Sequence, residues 1–226
     1  MKIAAACLLA ILLAAGCRHK KTSHIPPPPP PATPRPPASV PVGHTETGVA
    51  SWYGHPYHGR AAANGEIYDM ERMTAAHRTL PFNTWVRVHD LDNNKDTEVR
   101  IIDRGPFVEG RIIDLSHAAA KDIDMIGPGV ARVRIEVIRT PANVAPGLFG
   151  VQVGAFRVRA NADRLRDRMA SQYGIARVVE RPQDPGIWRV MVGAETSEEA
   201  AAALAARIRT ETVEKTAGFV VRIDSN

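Results

Sequence analysis

The chain has only two cysteines among its 226 residues, Cys7 and Cys17, and both lie near the N-terminus. The rest of the chain can therefore form neither an intradomain disulfide nor a cysteine-based metal cluster. Aromatic residues make up only 5% of the sequence, so a hydrophobic core must consist mainly of Val, Ile, Leu and Ala. With 44% hydrophobic and 23% charged residues, the composition is that of a globular protein, which excludes wholesale disorder and a polytopic membrane protein.

The sequence also lacks a basic domain surface, although its formal net charge is +5 and its isoelectric point is about 9.5. The excess of Lys and Arg lies mostly in the N-terminal segment and the linkers, whereas residues 43–138 contain more acidic than basic residues. A nucleic-acid-binding domain usually concentrates its positive charge on one face. We therefore expect no nucleic-acid partner.

The first 17 residues are typical of an export signal. Lys2 is followed by an apolar run over residues 3–15, which is too short to span a hydrocarbon layer of about 30 Å as a helix. Residues 13–17, Leu-Ala-Ala-Gly-Cys, resemble a bacterial lipoprotein lipobox. This resemblance implies cleavage before Cys17, which would carry the lipid that anchors the protein to a membrane. A plain signal peptide is the alternative. Arg18, in place of an aspartate, favours the periplasmic face of the outer membrane.

Two breaks divide the remaining chain. Residues 26–41 contain ten prolines, which favour an extended conformation of about 3.1 Å per residue and predict a semi-rigid spacer. A shorter break at residues 140–147 contains two prolines and a glycine. The predicted organisation is a signal peptide (1–16), a lipid anchor with a proline-rich linker (17–42), a first domain (43–139), a linker (140–147) and a second domain (148–226).

Short segments of alternating apolar and polar residues fill the first domain. This alternation predicts strands, and the Asn-Gly, Asp-Asn-Asn and Gly-Pro-Gly sequences between them predict turns. One short helix is predicted over residues 116–122, with Ser116 as its N-cap. We therefore expect a mostly β barrel. The predicted strands are residues 48–52, 85–89, 98–102 and 132–138.

Six short runs in the first domain carry polar side chains suited to catalysis. They are 50–54 (ASWYG), 63–66 (ANGE), 74–77 (TAAH), 79–81 (TLP), 103–107 (DRGPF) and 111–116 (RIIDLS). In this order they resemble the rare lipoprotein A family, whose catalytic domain is a double-psi β-barrel. The resemblance implies lytic transglycosylation of peptidoglycan, in which the 6-hydroxyl of muramic acid attacks its own anomeric carbon and leaves a 1,6-anhydro end.

The resemblance places the functional residues at Glu66, His77 and Asp103. The chemistry of the two carboxylates supports these roles, because glycosidic cleavage needs a carboxylic acid to protonate the leaving oxygen. Two carboxylates on barrel-rim turns can also shift each other's pKa. We expect Asp103 to act first as acid and then as base, and Glu66 to assist it or to stabilise the oxocarbenium-like centre. His77 is expected to hydrogen-bond a carboxylate and tune it.

Three further residues are candidates for substrate binding in the barrel. We expect Asn64 and Arg104 to position the glycan or a carboxylate, and Tyr53 to stack on a sugar ring. No cofactor is expected. No metal is expected either, because the neighbouring histidines His55 and His58 lack a third ligand at a useful spacing.

Several features leave other interpretations open. An aspartate before Arg-Gly, such as Asp103, is often a turn residue or an ion-pair partner. Asp114 lies between two apolar residues and could be a buried structural partner of Arg104 or Arg111. Ala62 stands where the family usually has threonine, and the lost hydroxyl could weaken a hydrogen bond near the site. The alternative function is therefore that of a non-catalytic, expansin-like cell-wall-binding lipoprotein.

The second domain contains an internal repeat, because residues 151–156 (VQVGAF) resemble residues 190–195 (VMVGAE). Each copy is predicted to be a strand that leads into a helix. The first helix is predicted over residues 161–172, and the second opens with a capping box at residues 196–199. The order βαββαβ predicts a ferredoxin-like two-layer α+β fold. The closing strands are predicted at residues 176–180 and 218–222.

Residues 152–156 (QVGAF) and 188–190 (WRV) resemble the SPOR domain. The resemblance implies binding to septal peptidoglycan strands that have lost their stem peptides, through Gln152, Trp188 and Arg189 on one sheet face. RNA-recognition modules share the element order, but their aromatic-rich strand motif is absent from this sequence.

Together the two resemblances predict a lipid-anchored lytic transglycosylase that acts in septal wall remodelling and daughter-cell separation. Its expected partners are peptidoglycan glycan strands, the membrane through lipidated Cys17, and division-site proteins.

Overall fold

The structure is a computed structural model that describes residues 40–142, 144, 147–181, 184–212 and 218–223. The predicted signal peptide, Cys17 and nearly all of the proline-rich linker lie outside the described residues. Within the described part of the chain, no helix combines the length and the apolar character needed to cross a membrane.

Within residues 40–142, six strands close into a barrel. They are β1 (Thr45–Tyr53), β2 (Thr74–His77), β3 (Trp85–Asp90), β4 (Asp96–Asp103), β5 (Arg111–Ser116) and β6 (Val130–Arg139). The order around the barrel is β1-β5-β2-β4-β3-β6, and β6 pairs back to β1. β1 is parallel to β5 and β2 is parallel to β4, whereas the other neighbouring strands are antiparallel. This architecture confirms the predicted mostly β barrel.

The alternation that predicted the strands also builds the barrel core. In β6, Val133, Ile135 and Val137 are buried, whereas Arg134 between them is exposed. Successive side chains of a strand point to opposite faces, so every second residue enters the core. The core is aliphatic, as the low aromatic content requires. Its fully buried members include Val86, Val88, Val99, Ile101, Ile113 and Leu115.

The single helix within residues 40–142 follows directly on β5. It is α1 (His117–Asp122), and the side chain of Ser116 accepts a hydrogen bond from the Ala119 N–H at 3.2 Å. The predicted helix and its N-cap are therefore confirmed. Ala119 and Ala120 are buried in the barrel core, which fixes the helix against the barrel.

The second domain has the predicted order βαββαβ. Its elements are β7 (Leu148–Phe156), α2 (Arg159–Tyr173), β8 (Ala176–Arg181), β9 (Asp184–Glu195), α3 (Glu198–Glu211) and β10 (Phe219–Ile223). The strands form an antiparallel sheet in the order β10-β7-β9-β8. The ferredoxin-like topology is therefore confirmed. The N-cap of α3 is Ser197, whose hydroxyl accepts the Ala200 N–H at 3.2 Å. The predicted capping box is therefore wrong: the cap lies one residue after Thr196, and Ala200 has no carboxylate to complete a box.

The two faces of this second sheet differ in what covers them. α2 and α3 cover one face, where Val151, Val153, Val190 and Val192 form a core with buried helix residues. Residues that alternate with these valines point to the opposite face. We call this opposite face the helix-free face; its residues are Gln152, Arg189, Met191, Phe219 and Val221.

Candidate functional site

Asp103 is the last residue of β4, at the point where the strand leaves the barrel. Its Oδ1 accepts hydrogen bonds from the backbone N–H groups of Arg104, at 2.7 Å, and Ala63, at 3.1 Å. Burial raises the pKa of the Asp103 carboxyl above its ordinary value of 3.8, and these two hydrogen bonds oppose the rise. A raised pKa keeps more of the carboxyl protonated, which a general acid requires.

The loop that carries Glu66 is attached to the strand that ends at Asp103. The Asn64 N–H donates to the carbonyl of Ile102 at 3.1 Å, next to the bond from Ala63 to Asp103. Asn64 Oδ1 accepts the Glu66 N–H at 3.0 Å, and Asn64 Nδ2 donates to Glu66 Oε1 at 2.9 Å. The carboxylate that Asn64 contacts is thus that of Glu66.

Glu66 forms a two-point ion pair with Arg100 of β4. Arg100 Nη1 donates to Glu66 Oε1 at 2.6 Å, and Arg100 Nη2 donates to Oε2 at 2.7 Å. These hydrogen bonds lower the pKa of the Glu66 carboxyl below its ordinary value of 4.5. The pKa values of Glu66 and Asp103 are therefore shifted in opposite directions, which is the pattern expected of one ionised and one proton-donating carboxyl group.

Asp114 is a further acidic residue of this site, and sequence reasoning gave it only a structural role. The Ser51 hydroxyl donates to Asp114 Oδ1, because the parallel pairing of β1 with β5 sets the two residues opposite each other. A Cβ added to Gly105 would lie 3.5 Å from Asp114 Oδ2, so the turn after Asp103 passes close to Asp114.

The Asp114 carboxyl is also perturbed. Burial raises its pKa above the ordinary value, although the hydrogen bond from Ser51 and the positive charge of Arg111 lower it. Arg111 is thus one of its electrostatic partners, as predicted. Alternation along β5, which sets Asp114 apart from its two apolar neighbours, is the sequence signal that could have identified it as a site residue.

Tyr53 lies close to both aspartates. Burial, together with the negative charges of Asp103 and Asp114, raises the pKa of its phenol well above the ordinary value. Its ring is stacked on that of Tyr68, with ring centroids 4.3 Å apart. Its hydroxyl is buried and has no hydrogen-bond partner among the residues that the structure describes. A sugar hydroxyl could accept this bond, so Tyr53 remains a candidate for substrate binding.

His77 is buried, and its carboxylate partner is Glu46 rather than Glu66 or Asp103. His77 Nδ1 accepts hydrogen bonds from the Thr79 N–H at 3.2 Å and the Leu80 N–H at 3.1 Å. The proton of the neutral ring must then lie on Nε2, which is 3.1 Å from Glu46 Oε2. Burial lowers the pKa of His77, which favours this neutral form. The geometry assigns His77 to fixing the loop that follows β2.

Arg104 is buried against the same loop. Its Nη1 donates to the carbonyl oxygens of His77, at 3.1 Å, and Leu80, at 2.9 Å. Its guanidinium also lies 3.7 Å from the ring centroid of Phe82. Arg104, which was predicted to position the glycan, therefore holds the turn after Asp103 against residues 77–82 and positions the site through these contacts.

The three glycan-binding residues predicted in the second domain do not share one sheet face. Gln152 and Arg189 lie on the helix-free face. Trp188 lies on the helix-covered face, because consecutive strand residues point in opposite directions. Its ring packs against the domain core, and the Arg159 guanidinium is 4.7 Å from its centroid. The grouping of Trp188 with the other two is corrected accordingly; Phe156, its cross-strand neighbour, also packs against the core.

Side chains suited to metal binding do not converge in the described ranges, where no group of three or more His, Cys, Asp or Glu residues could hold an ion. His55 and His58 are neighbours, with ring centroids 5.9 Å apart, but His58 Nδ1 accepts the Met70 N–H at 3.2 Å. The described site is thus composed of carboxyl, hydroxyl and guanidinium groups.

Both domains match known families. A family model described as "Lytic transglycolase" matches residues 45–135, which span the barrel, and a model described as "SPOR domain" matches residues 145–222. The fold, the site and these matches define a cell-wall protein class in which a lytic-transglycolase barrel precedes a SPOR domain.

Several relatives named "Endolytic peptidoglycan transglycosylase RlpA" match this chain over different lengths. The Campylobacter jejuni protein is 39% identical over 195 residues, which are 75% of this chain and 71% of the relative. The Helicobacter pylori (strain J99) protein is 40% identical over 194 residues, 73% of this chain and 62% of the relative. The Vibrio cholerae protein is 57% identical over 106 residues, 47% of this chain and 40% of the relative. The chain belongs to the RlpA family. It spans about three fifths of the length of the Helicobacter pylori relatives that it matches.

Proposed function

We propose that this protein is a peptidoglycan lytic transglycosylase whose general acid and base is Asp103. The observation that carries the proposal is the position of Asp103 at the end of β4, where residues 63–64 hydrogen-bond the same strand end and so connect the Glu66 loop to it. Burial raises the pKa of Asp103 and the hydrogen bonds from Arg100 lower that of Glu66, which is consistent with one proton donor and one ionised carboxylate. Membership of the RlpA family supports it, because the relatives carry a transglycosylase name.

The reaction needs one proton donor that later takes a proton back. Protonated Asp103 gives its proton to the glycosidic oxygen as the bond from that oxygen to the anomeric carbon breaks. The 6-hydroxyl of the same muramic acid then bonds to the anomeric carbon, and its proton passes to the Asp103 carboxylate. The carboxyl is restored, no water is consumed, and the product ends in 1,6-anhydro-muramic acid.

The remaining site residues bind or hold the groups around Asp103. Glu66 is ionised and faces the developing positive charge, while Arg100 and Asn64 fix its orientation. The unpaired hydroxyl of Tyr53 donates a hydrogen bond to a sugar hydroxyl or accepts one from it. His77 and Arg104 act as positioning residues, because both are hydrogen-bonded to the backbone of the loop that follows β2.

The second domain is proposed to direct the barrel to glycan strands without stem peptides. Such strands occur at the division septum, and tethering the barrel there raises its effective concentration on its substrate. Cys17 is proposed to anchor the chain by a lipid to the periplasmic face of the outer membrane. Deletion of residues 148–226 is expected to abolish septal enrichment, and a truncated chain that still accumulates at the septum would contradict this role.

Product analysis tests the proposed reaction. The full chain, purified in detergent, is incubated with glycan strands stripped of stem peptides, and the fragments are identified by mass spectrometry. Fragments with anhydro-muramic acid ends are expected from the native protein. Asp103→Asn should lower their rate of release by about 10²- to 10⁴-fold. Asp122→Asn, which alters an exposed aspartate at the end of α1, is the matched control and should leave the rate unchanged.

The same experiment separates the alternatives. Fragments with reducing ends would indicate a hydrolase. Retention of the chain on the glycan without any fragment, in both the native protein and Asp103→Asn, would indicate the expansin-like, non-catalytic function. Ala62→Thr would then be the first substitution to examine, because Ala62 stands at the position of the family's usual threonine and is buried against Tyr68 and Ile102.

A further inference from the structure

The helix-free face of the SPOR domain is buried, although no helix of that domain covers it. Gln152 is 4% exposed, Arg189 6%, Met191 5% and Val221 1%. A sheet face of this kind can only be buried by another part of the molecule. The barrel supplies the cover, through the loop after β2 and the turn after Asp103.

Aromatic and backbone contacts join the two domains. The rings of Phe107, in the turn after Asp103, and Phe219, on the helix-free face, meet edge to face with centroids 6.0 Å apart. The Arg78 guanidinium lies 5.8 Å from the centroid of Phe219. The Arg222 N–H, on the outer edge of β10, donates to the Arg78 carbonyl at 3.0 Å. The edge strand of the second sheet is thus bonded to the barrel.

A polar contact extends this interface to α3. The Thr79 side chain of the barrel hydrogen-bonds the carboxylate of Glu198, the first residue of α3. The Glu198 residue as a whole is exposed, and partial desolvation of its carboxyl in this contact raises its pKa above the ordinary value of 4.5. Glu199, the next residue of the helix, is exposed.

The SPOR domain also reaches the catalytic turn itself. Arg181, at the end of β8, lies with its guanidinium 5.0 Å from the centroid of the Phe107 ring and its Nη1 3.5 Å from the carbonyl oxygen of Arg104. Burial and the neighbouring charge of Arg189 lower the pKa of Arg181 to about 10. The positive charge of Arg181 lowers the pKa of Asp103, and so opposes the protonated form that the acid step needs.

The interface leaves polar atoms of the helix-free face unsatisfied. Gln152 Oε1 and Arg189 Nε are buried and have no hydrogen-bond partner among the described residues. Each buried polar atom without a partner costs roughly 1–3 kcal/mol, so the barrel is an imperfect cover for this face. A ligand rich in hydroxyl groups would satisfy both atoms.

We propose that the SPOR domain docks through its helix-free face onto the barrel beside Asp103, and that a glycan strand bound to this face displaces the barrel and opens the catalytic cleft. The inference rests on the proposed function, because it treats the covered cleft as a transglycosylase site. The docked arrangement is autoinhibited, since most of the helix-free face is buried and residues 104–106, directly after Asp103, are buried as well. Cleavage is thereby restricted to places where the SPOR domain has found its glycan.

Two substitutions weaken the docking: one at Phe219, which lies on the helix-free face but is not a predicted glycan contact, and one at Glu198, which lies outside that face. Phe219→Ser removes the ring between Phe107 and Arg78, and Ile175→Ser, at an exposed apolar residue before β8, is its matched control. Glu198→Ala removes the bond to Thr79, and Glu199→Ala, one residue further along the helix, is its control. In full chains in detergent, Phe219→Ser and Glu198→Ala should each raise the rate of cleavage of stripped glycan by about tenfold, because the open fraction rises. The two controls should cleave at the native rate.

Hydrogen exchange measures the docking without relying on catalysis. In the full Asp103→Asn chain, the Arg222 amide should be protected, and saturation with stripped glycan should speed its exchange by at least about tenfold. Unchanged exchange with glycan bound would overturn the inference, as would native cleavage rates in both docking variants. If no chain cleaves the glycan, faster exchange at Arg222 and tighter binding by Phe219→Ser would still support the docking, and only the transglycosylase function would fail.

Discussion

Glu66 and Arg100, 34 residues apart in the chain, form a two-point ion pair at the rim of the barrel, with both carboxylate oxygens within 2.7 Å of the guanidinium nitrogens. This geometry keeps Glu66 ionised and fixes its direction. It also makes the function of Glu66 depend on Arg100, because Arg100 holds both carboxylate oxygens of a side chain that is 40% exposed, whereas Asn64 contacts only Oε1.

The first prediction concerns this pair. Glu66→Gln and Arg100→Gln should each lower kcat/KM for stripped glycan by about 100-fold. Glu66→Gln removes the carboxylate, and Arg100→Gln removes the guanidinium group that aligns it. The double substitution should cost little more than either single one, because both remove the same interaction. Steady-state kinetics of the three variants measures this coupling. If the double variant lowers kcat/KM by the product of the two single effects, the two residues act independently. Arg87→Gln, at an exposed ion pair elsewhere on the barrel, is the control.

The second prediction concerns pH. The raised pKa of Asp103 means that its proton-donating form is populated at pH values below that pKa and is lost as the pH rises through it. The rate of anhydro-product formation should therefore decline at high pH with a midpoint above 3.8, the ordinary value for aspartate. Glycan binding by Asp103→Asn, measured over the same range, should not follow this decline. A parallel decline in binding would assign the pH dependence to substrate recognition instead.

The third prediction concerns His77 and stability. Its folded-state pKa lies below the ordinary 6.5, so its contribution to stability is present above pH 6.5 and is lost as the pH falls through the folded-state pKa. His77→Ala should lower the free energy of unfolding by about 1–3 kcal/mol at neutral pH, because two backbone N–H groups and Glu46 lose their partner. Denaturant unfolding at several pH values measures both effects. The difference between native and variant stability should shrink toward acid pH; a constant difference would contradict the neutral, loop-fixing role.

The fourth prediction separates the two faces of the SPOR sheet. Gln152→Ala should weaken binding of stripped glycan in the Asp103→Asn chain and change stability little. Trp188→Ala should lower the free energy of unfolding, by less than the ~3–5 kcal/mol of a fully buried tryptophan, and leave glycan affinity unchanged once the chain is folded. Sedimentation with glycan and denaturant unfolding provide the two measurements. If folded Trp188→Ala binds glycan more weakly than the native chain, Trp188 belongs to the glycan-binding surface after all.

Short-range patterns in the sequence predict some features of the structure and miss others. Ser116 was correctly identified as the N-cap of α1, because a cap and its donor lie three residues apart. Four of the six barrel strands, β1, β3, β4 and β6, and the βαββαβ order of the second domain followed from periodicity, which is also local, whereas no strand was predicted at β2 or β5. Trp188 was assigned to the wrong face even though alternation with Arg189 contained the answer. The sequence predicts Thr196 as the cap because Glu199 follows it at the spacing of a capping box. The neighbouring hydroxyl of Ser197 competes for the same role and caps the helix in the structure.

The amino-acid sequence by itself determined the helices, four of the six barrel strands, the element order of the second domain, where the carboxylates Glu66 and Asp103 stand relative to turns, and which families the two domains resemble. Only the tertiary structure decided the partners: Arg100 for Glu66, Glu46 for His77, and Ser51 for Asp114, which are 34, 31 and 63 residues apart. It also decided that the helix-free face meets the barrel. Periodicity and turn chemistry act over a few residues, whereas contacts between distant segments depend on how the closed barrel and the second sheet bring them together.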